Sequence, residues 1–198
     1  MLKTVENKIP VRIDWTKNTD AKNECQIVMN SDDFFGTGTS IRSKIQRFKN
    51  KYLDLIEESK KLAKTKNKKT GKFTSKHWWR LGKLLNDFNQ EIDGQFVISN
   101  YTQAISRDLR GFEMSDTEVG VVCQFATFFD RDEVSEKISI AHYREFCWKK
   151  NQLEEVNLLE QEKENIQKMS KEGTLRDHKK YRIYLKEKIE FEKNGGRQ

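Results

Sequence analysis

Few of this chain's residues are spaced for chemistry. There are three histidines, His77, His142 and His178, and three cysteines, Cys25, Cys123 and Cys147. None stands at a metal-ligand spacing from another, and no CxxC pair occurs. Buried thiols are the expected state of the cysteines. No GxSxG segment offers a nucleophile elbow. Gly36-Thr-Gly-Thr-Ser40 looks faintly like a phosphate loop but lacks the GxxxxGK[ST] spacing, so it reads as a helix-opening turn. Asp32-Asp33 and Asp130, Asp132 and Glu133 could bind a cation, although such carboxylates more often cap turns. The expectation is a protein with no catalytic site, no metal and no cofactor.

The positive signal is charge. Between Arg42 and Lys83 stand fifteen Lys/Arg against three Asp/Glu, a surplus of twelve that leaves the rest of the chain at −5 within a formal net charge of +7. Such asymmetry points to a local polyanion-binding surface. Arg42, Lys44, Arg47, Lys49 and Lys51 fall on the polar face of an amphipathic helix. Lys60, Lys61, Lys64, Lys66, Lys68, Lys69 and Lys72 follow in a stretch without acids. It reads either as a solvated linker or as an arm tracking phosphates, for which lysine's mobile point charge is suited. Lys76, Arg80 and Lys83 then flank Trp78 and Trp79. Two adjacent indoles cannot both point inward from one helix. The second is expected at an interface or free to stack on a base, although both lying in a core is the commoner outcome.

These residues need elements to hold them. The chain has 198 residues, 35% hydrophobic and 35% charged, with one proline, Pro10. The fold class expected is mainly α: a helical bundle with a helix-turn-helix-like core, a small N-terminal β-hairpin and a C-terminal helical hairpin or arm. Alternation at Ile9, Val11, Ile13 and Trp15, and again at Cys25, Ile27 and Met29, gives the hairpin. A helix capped at Thr39 carries Ile41, Ile45, Phe48, Tyr52, Leu55 and Leu62 at heptad-like spacing, which suggests a bundle or short coiled coil and a homo-oligomer. Further helices are expected over 76–92, over 101–109 with Ser99 as cap, after the capping box Ser115-Asp-Thr-Glu118, and from Ser139. Gly173 should end one C-terminal helix and Thr174–Asp177 start the next. The segments are 1–35, β-containing; 36–73, basic helix and linker; 74–152, helix-turn-helix-like; and 153–198, charged helices. No apolar run approaches the roughly 20 residues of a membrane span, and no signal peptide is read at the N-terminus. A cytoplasmic, nucleoid-associated location is expected.

Trp79-Arg-Leu-Gly82, Ala104-Ile-Ser-Arg-Asp-Leu109, Ser115 through Phe128-Phe129, and Ile138-Ser-Ile-Ala-His-Tyr-Arg-Glu145 follow one another in order. Together they make residues 78–153 resemble the N-terminal helical domain of the YhcG-type nucleases. That domain runs through a YWxIG-like helix, a short helix with an LS pair, a capped helix ending in a bulky aromatic pair, and an LSWSHYRE-like segment. The resemblance implies a helix-turn-helix-like DNA-binding module. In the family a nuclease domain follows; here charged helices follow, so cleavage is not among the expectations.

The function expected is therefore non-enzymatic DNA binding, as a transcriptional regulator or nucleoid-associated protein, with RNA as a variant. Phosphates would be held by the basic residues of 42–83. Base edges would be read from the helix beginning at Ser139, through Ser139, His142, Arg144, Lys149 and Lys150. The competing expectation is an adaptor that assembles through its heptad-like and C-terminal helices.

Overall fold

The structure is a computed structural model and describes residues 8–17, 23–29, 39–66, 72–92, 95–175 and 177–196. It is mainly helical with a small sheet, as expected. In order come β1 (Ile9–Lys17), β2 (Asn23–Met29), α1 (Thr39–Ala63), α2 (Ser75–Ile92), β3 (Phe96–Ile98), α3 (Tyr101–Asp108), a 3-10 turn (Arg110–Phe112), α4 (Asp116–Phe128), α5 (Ile140–Glu155), α6 (Leu159–Glu172) and α7 (His178–Lys193). No helix among the described residues is long and apolar enough to cross a membrane. Two compact units form, each discontinuous in sequence: residues 1–65 with 83–120, and residues 66–82 with 121–198.

In the first unit, β1 and β2 form the antiparallel hairpin, pairing Val11 with Met29, Ile13 with Ile27 and Trp15 with Cys25. Ile9, Val11, Ile13 and Cys25 face the core. β3, three residues that alternation could not reveal, adds in parallel on the other side of β1, giving the order β2-β1-β3. Pro10 sits in the central strand without conflict. Among the described residues the β1–β2 ladder begins at Val11, and Pro10 is paired there with Val97 alone, so its missing N–H breaks no ladder bond among them. Beyond Ile98 the side chain of Asn100 continues the edge: its oxygen accepts from the Ile13 N–H at 3.0 Å and its amide donates to the Ile13 carbonyl at 2.8 Å. Asn100, not Ser99, is the N-cap residue of α3, and its side chain serves the strand instead of the helix.

α1 closes this unit. Phe48, Tyr52, Leu55, Ile56 and Ser59 are buried, and the Phe48 ring lies 4.9 Å from that of Phe96 and 5.8 Å from that of Phe88. The middle of the heptad-like stripe, Phe48, Tyr52 and Leu55, is thus covered within the unit by the sheet and neighbouring helices, while Ile41, Ile45 and Leu62 are half-buried. One polar node ties three segments together. The Asp108 carboxylate, 6% exposed, accepts from the Trp15 indole at 2.9 Å, the Tyr52 hydroxyl at 2.6 Å and the Arg107 guanidinium. Burial alone would raise its pKa; the bonds from Arg107, Trp15 and Tyr52 outweigh that and hold it below the usual carboxylate range.

In the second unit Phe125, Phe129, Tyr143 and Phe146 pack ring on ring, with centroids 4.5–5.7 Å apart. The C-terminal segment is a hairpin docked on α5, not a projecting arm. Ile166 on α6 and Tyr181, Leu185 and Ile189 on α7 enter the same core. Each such side chain contributes about 1.5–3 kcal/mol of apolar burial. Contacts of α7 with α5 advance along both helices together, His178 and Tyr181 at His142, Arg182 at Glu145 and Lys193 at Glu155, so the two run in the same direction. Gly173, at φ 69°, turns the chain out of α6, and Asp177 caps α7 by accepting from the Lys179 and Lys180 amides. Glu162, fully buried, is satisfied by Lys188 at 2.8 Å and by the hydroxyls of Tyr181 and Tyr184 at 3.3 Å. Where α2 crosses α4, Gly82 allows a close approach: a Cβ there would lie 2.1 Å from the Val122 carbonyl oxygen.

Candidate nucleic-acid interface

α1 presents cations over its solvent face because its other face is fixed to the core. Arg42, Lys44, Arg47, Lys60, Lys64 and Lys66 are exposed, and none has an ion-pair partner among the described residues. Three others are committed: Lys51 to Glu91 at 2.5 Å, Lys61 to Glu57 at 2.8 Å and Lys83 to Asp87 at 2.7 Å. The Lys61–Glu57 hydrogen bond lowers the carboxyl's pKa and raises that of the ammonium. Lys49 is half-buried. Asp54, Glu57 and Glu58 divide the face into two basic groups, with Arg47 and Lys60 about 20 Å apart at 1.5 Å per residue.

The two groups differ in kind. Lys60 and Lys61 occupy the last turn of α1, where the helix dipole favours cations. Arg42 and Lys44 lie near its first turn, which holds no acid. There the same dipole disfavours them, so local helix stability does not account for their presence.

Lys72, Lys76 and Arg80 are exposed at and before the start of α2. The neighbouring tryptophans are not free to stack. Trp79 is half-buried and donates its indole N–H to the Phe129 carbonyl at 2.6 Å, while Trp78 packs on the same core and edge-on to Phe73. Lys68 and Lys69 lie outside the described residues, as do Asp32, Asp33, Gly36 and Gly38.

On α5 the expected base-reading residues separate. Ser139 is exposed at the N-cap, but its hydroxyl meets His142 Nδ1 at 2.8 Å and makes no side-chain bond to the helix amides. His142 is 8% exposed and lies between Ser139 and the rings of His178 and Tyr181, so it faces the hairpin and not solvent. Thr74 and His77 repeat this hydroxyl–imidazole contact at 2.8 Å at the start of α2. In both places a histidine stands where a capping box has its carboxylate. Arg144, Lys149 and Lys150 are half-buried; Lys150 pairs with Glu154 at 3.2 Å and lies 4.6 Å over the Phe128 ring.

The indole that does reach solvent is Trp148, 46% exposed. The Arg144 guanidinium carbon lies 5.0 Å and that of Arg182 5.9 Å from its ring centre. Arg182 is in turn clamped side-on by Glu145, itself 1% exposed, at 2.7 and 2.5 Å. Sequence reasoning passed over Trp148 and Arg182 because they are 34 residues apart and only the return of α7 alongside α5 joins them. An exposed position for Trp148 was legible in part: Phe146 and Cys147 already fill the buried side of that turn.

Among the described residues no group of three His, Cys, Asp or Glu could hold a metal ion. Glu133 caps a turn, accepting from the Asp130 amide at 2.6 Å, and pairs with Lys163. Burial pushes the Cys123 thiol up to about 11 and Cys147 to about 12, so both stay protonated. No family model, no curated protein and no solved structure matches the chain.

Proposed function

We propose that the chain is a non-enzymatic nucleic-acid-binding protein that holds the phosphate backbone of duplex DNA through α1 and the basic residues that follow it. The observation that carries this is the set Arg42, Lys44 and Arg47: exposed and without ion-pair partners among the described residues, with Arg42 in the first turn of α1, where the helix dipole works against a cation. Lys60 and Lys64 extend the same surface. Contacts of this type recognise charge and spacing, not base identity. A sequence-tolerant, architectural role therefore fits better than operator recognition. The burial of His142 removes one of the residues on which operator reading rested.

The test is a salt series on duplex DNA. Each phosphate contact contributes about 0.9 to the slope of log affinity against log salt. Replacing Arg42, Lys44 and Arg47 with Gln should reduce that slope by about 1–3 and weaken random and designed duplexes alike. An unchanged slope would refute the role of α1. Equal behaviour on duplex RNA would widen the class to double-stranded nucleic acid in general.

A further inference from the structure

We propose that Trp148, Arg144 and Arg182 form a stacking platform for an unpaired base of single-stranded nucleic acid, a second site separate from the α1 surface. Four features carry the inference. Trp148 is the most exposed of the four tryptophans; Trp15, Trp78 and Trp79 are all at least partly covered. Its neighbours at the surface are guanidiniums at 5.0 and 5.9 Å. Arg182 is held from behind by a carboxylate that is 1% exposed. Finally, two guanidiniums against the one Glu145 carboxylate leave the balance of these three groups cationic.

The Glu145 clamp is the informative part. Burying a carboxylate is costly unless it is well bonded. Here it engages Nε and one Nη of Arg182, side-on. A guanidinium has five N–H groups, so three remain in a fixed plane at the surface. That is the arrangement suited to a multi-oxygen anion such as a phosphate diester. Arg144, one turn before Trp148, lies against the indole and restricts its orientation. Indole and guanidinium planes both stack bases. A base adding to this assembly gains stacking while its flanking phosphate meets Arg182.

The chemistry selects single strands. In a duplex the bases already stack on one another and offer no open face to an indole on the side of a helix. A protein partner fits less well, since a tryptophan that anchors such an interface sits in a packed apolar surround, whereas here two guanidiniums lie 5.0 and 5.9 Å from the ring centre. The proposal draws on the nucleic-acid reading for its ligand class, but its residues do not overlap those of α1.

The experiment uses the full chain with fluorescent oligothymidylate, oligouridylate and a duplex, by anisotropy at low salt. The expected result is binding of the single strands by the wild type. Trp148→Ala should weaken it roughly 5- to 150-fold, the loss of one stacked base, with Trp148→Phe retaining most of the affinity and duplex binding changed less than about two-fold. Circular dichroism of each variant establishes that the fold is kept. Matching losses on both single strands assign the site to the features they share, the pyrimidine face and the phosphate; a loss on one alone adds a role for the sugar or the thymine methyl. No single-strand binding by the wild type overturns the proposal, as does an affinity that Trp148→Ala leaves unchanged. A change in sedimentation with Trp148→Ala, without a change in single-strand affinity, overturns it in favour of a protein contact. If single strands bind through Trp148 and duplex does not bind, the α1 reading falls and this one stands. If duplex binding follows the α1 cations and Trp148 affects nothing, the reverse holds.

Discussion

Replacing Asp108 with Asn turns one acceptor oxygen into an N–H2 group facing side chains that themselves donate. Trp15 and Tyr52 both reach Oδ2, at 2.9 and 2.6 Å, and Arg107 reaches both oxygens. A hydrogen bond to a charged acceptor contributes about 1.5–3 kcal/mol, and a stranded buried donor costs about 1–3 kcal/mol. An amide oxygen can keep part of this set but not all of it, so the expected loss at neutral pH is about 2–4 kcal/mol. Tyr52→Phe removes one donor to the charged carboxylate and strands none, for about 1.5–3 kcal/mol. The double variant should lose less than the two singles together, because they share one bond. The effect has a pH signature. The Asp108 carboxyl is depressed in the folded protein, so its contribution is complete above the unfolded value near 4 and is lost as pH falls through the folded one. Urea unfolding of wild type and variants at about pH 7 and about pH 2.5, followed by circular dichroism, measures both. A difference below about 0.5 kcal/mol at neutral pH, or one that does not shrink in acid, refutes the reasoning.

Gly82→Ala tests the helix crossing in the second unit. Alanine in a helix interior should stabilise by about 0.5–1 kcal/mol, but the new Cβ would meet the Val122 carbonyl oxygen at 2.1 Å, so a net loss of about 1–3 kcal/mol is expected; a rise in melting temperature would show that the approach is not close. His142→Ala should lower stability by about 1–3 kcal/mol and leave the ratio of affinities for different duplexes unchanged. A shift in that ratio would restore His142 to base recognition.

The elements were largely readable because their signals are local. Alternation gave the hairpin, and Ser115 with Glu118 made the capping box, the Glu118 carboxylate accepting from the Ser115 amide at 3.0 Å. Gly173 ended α6 as a left-handed residue should. What failed were particular inferences about which side of an element faces water. The heptad-like spacing of α1 is equally a coiled-coil seam and a face for a sheet, and only the arrival of Phe88 and Phe96 decides between them. Trp78 and Trp79 drew notice because they are adjacent, yet both are tied into a core. His142 looked like a polar residue near the start of a helix, but α7, some 40 residues later, covers it. Trp148 looked ordinary because the arginine that pairs with it comes from α7. β3 is too short for any periodicity to register.

The parallel pairing of β1 with β3 also sets a schedule for synthesis. β1 ends at Lys17 and β3 begins at Phe96. At about 5–20 residues per second, a ribosome takes on the order of 4–16 s to make what lies between them. For that interval the hairpin exists with the β3 side of β1 unpaired, and the Asp108 that Trp15 and Tyr52 require has not yet been made. Contacts of such long sequence separation form late and slowly in any case. The nascent hairpin therefore shows an open strand edge with Val11 and Ile13 uncovered, the kind of template that other chains can pair with. That edge is carried by Ile9, Val11 and Ile13, whose backbone groups face the β3 side in the finished sheet: the Ile9 N–H donates to the Gln95 carbonyl at 2.8 Å, the Val11 carbonyl accepts from the Ser99 N–H at 3.0 Å, and the Ile13 N–H donates to the Asn100 side chain at 3.0 Å.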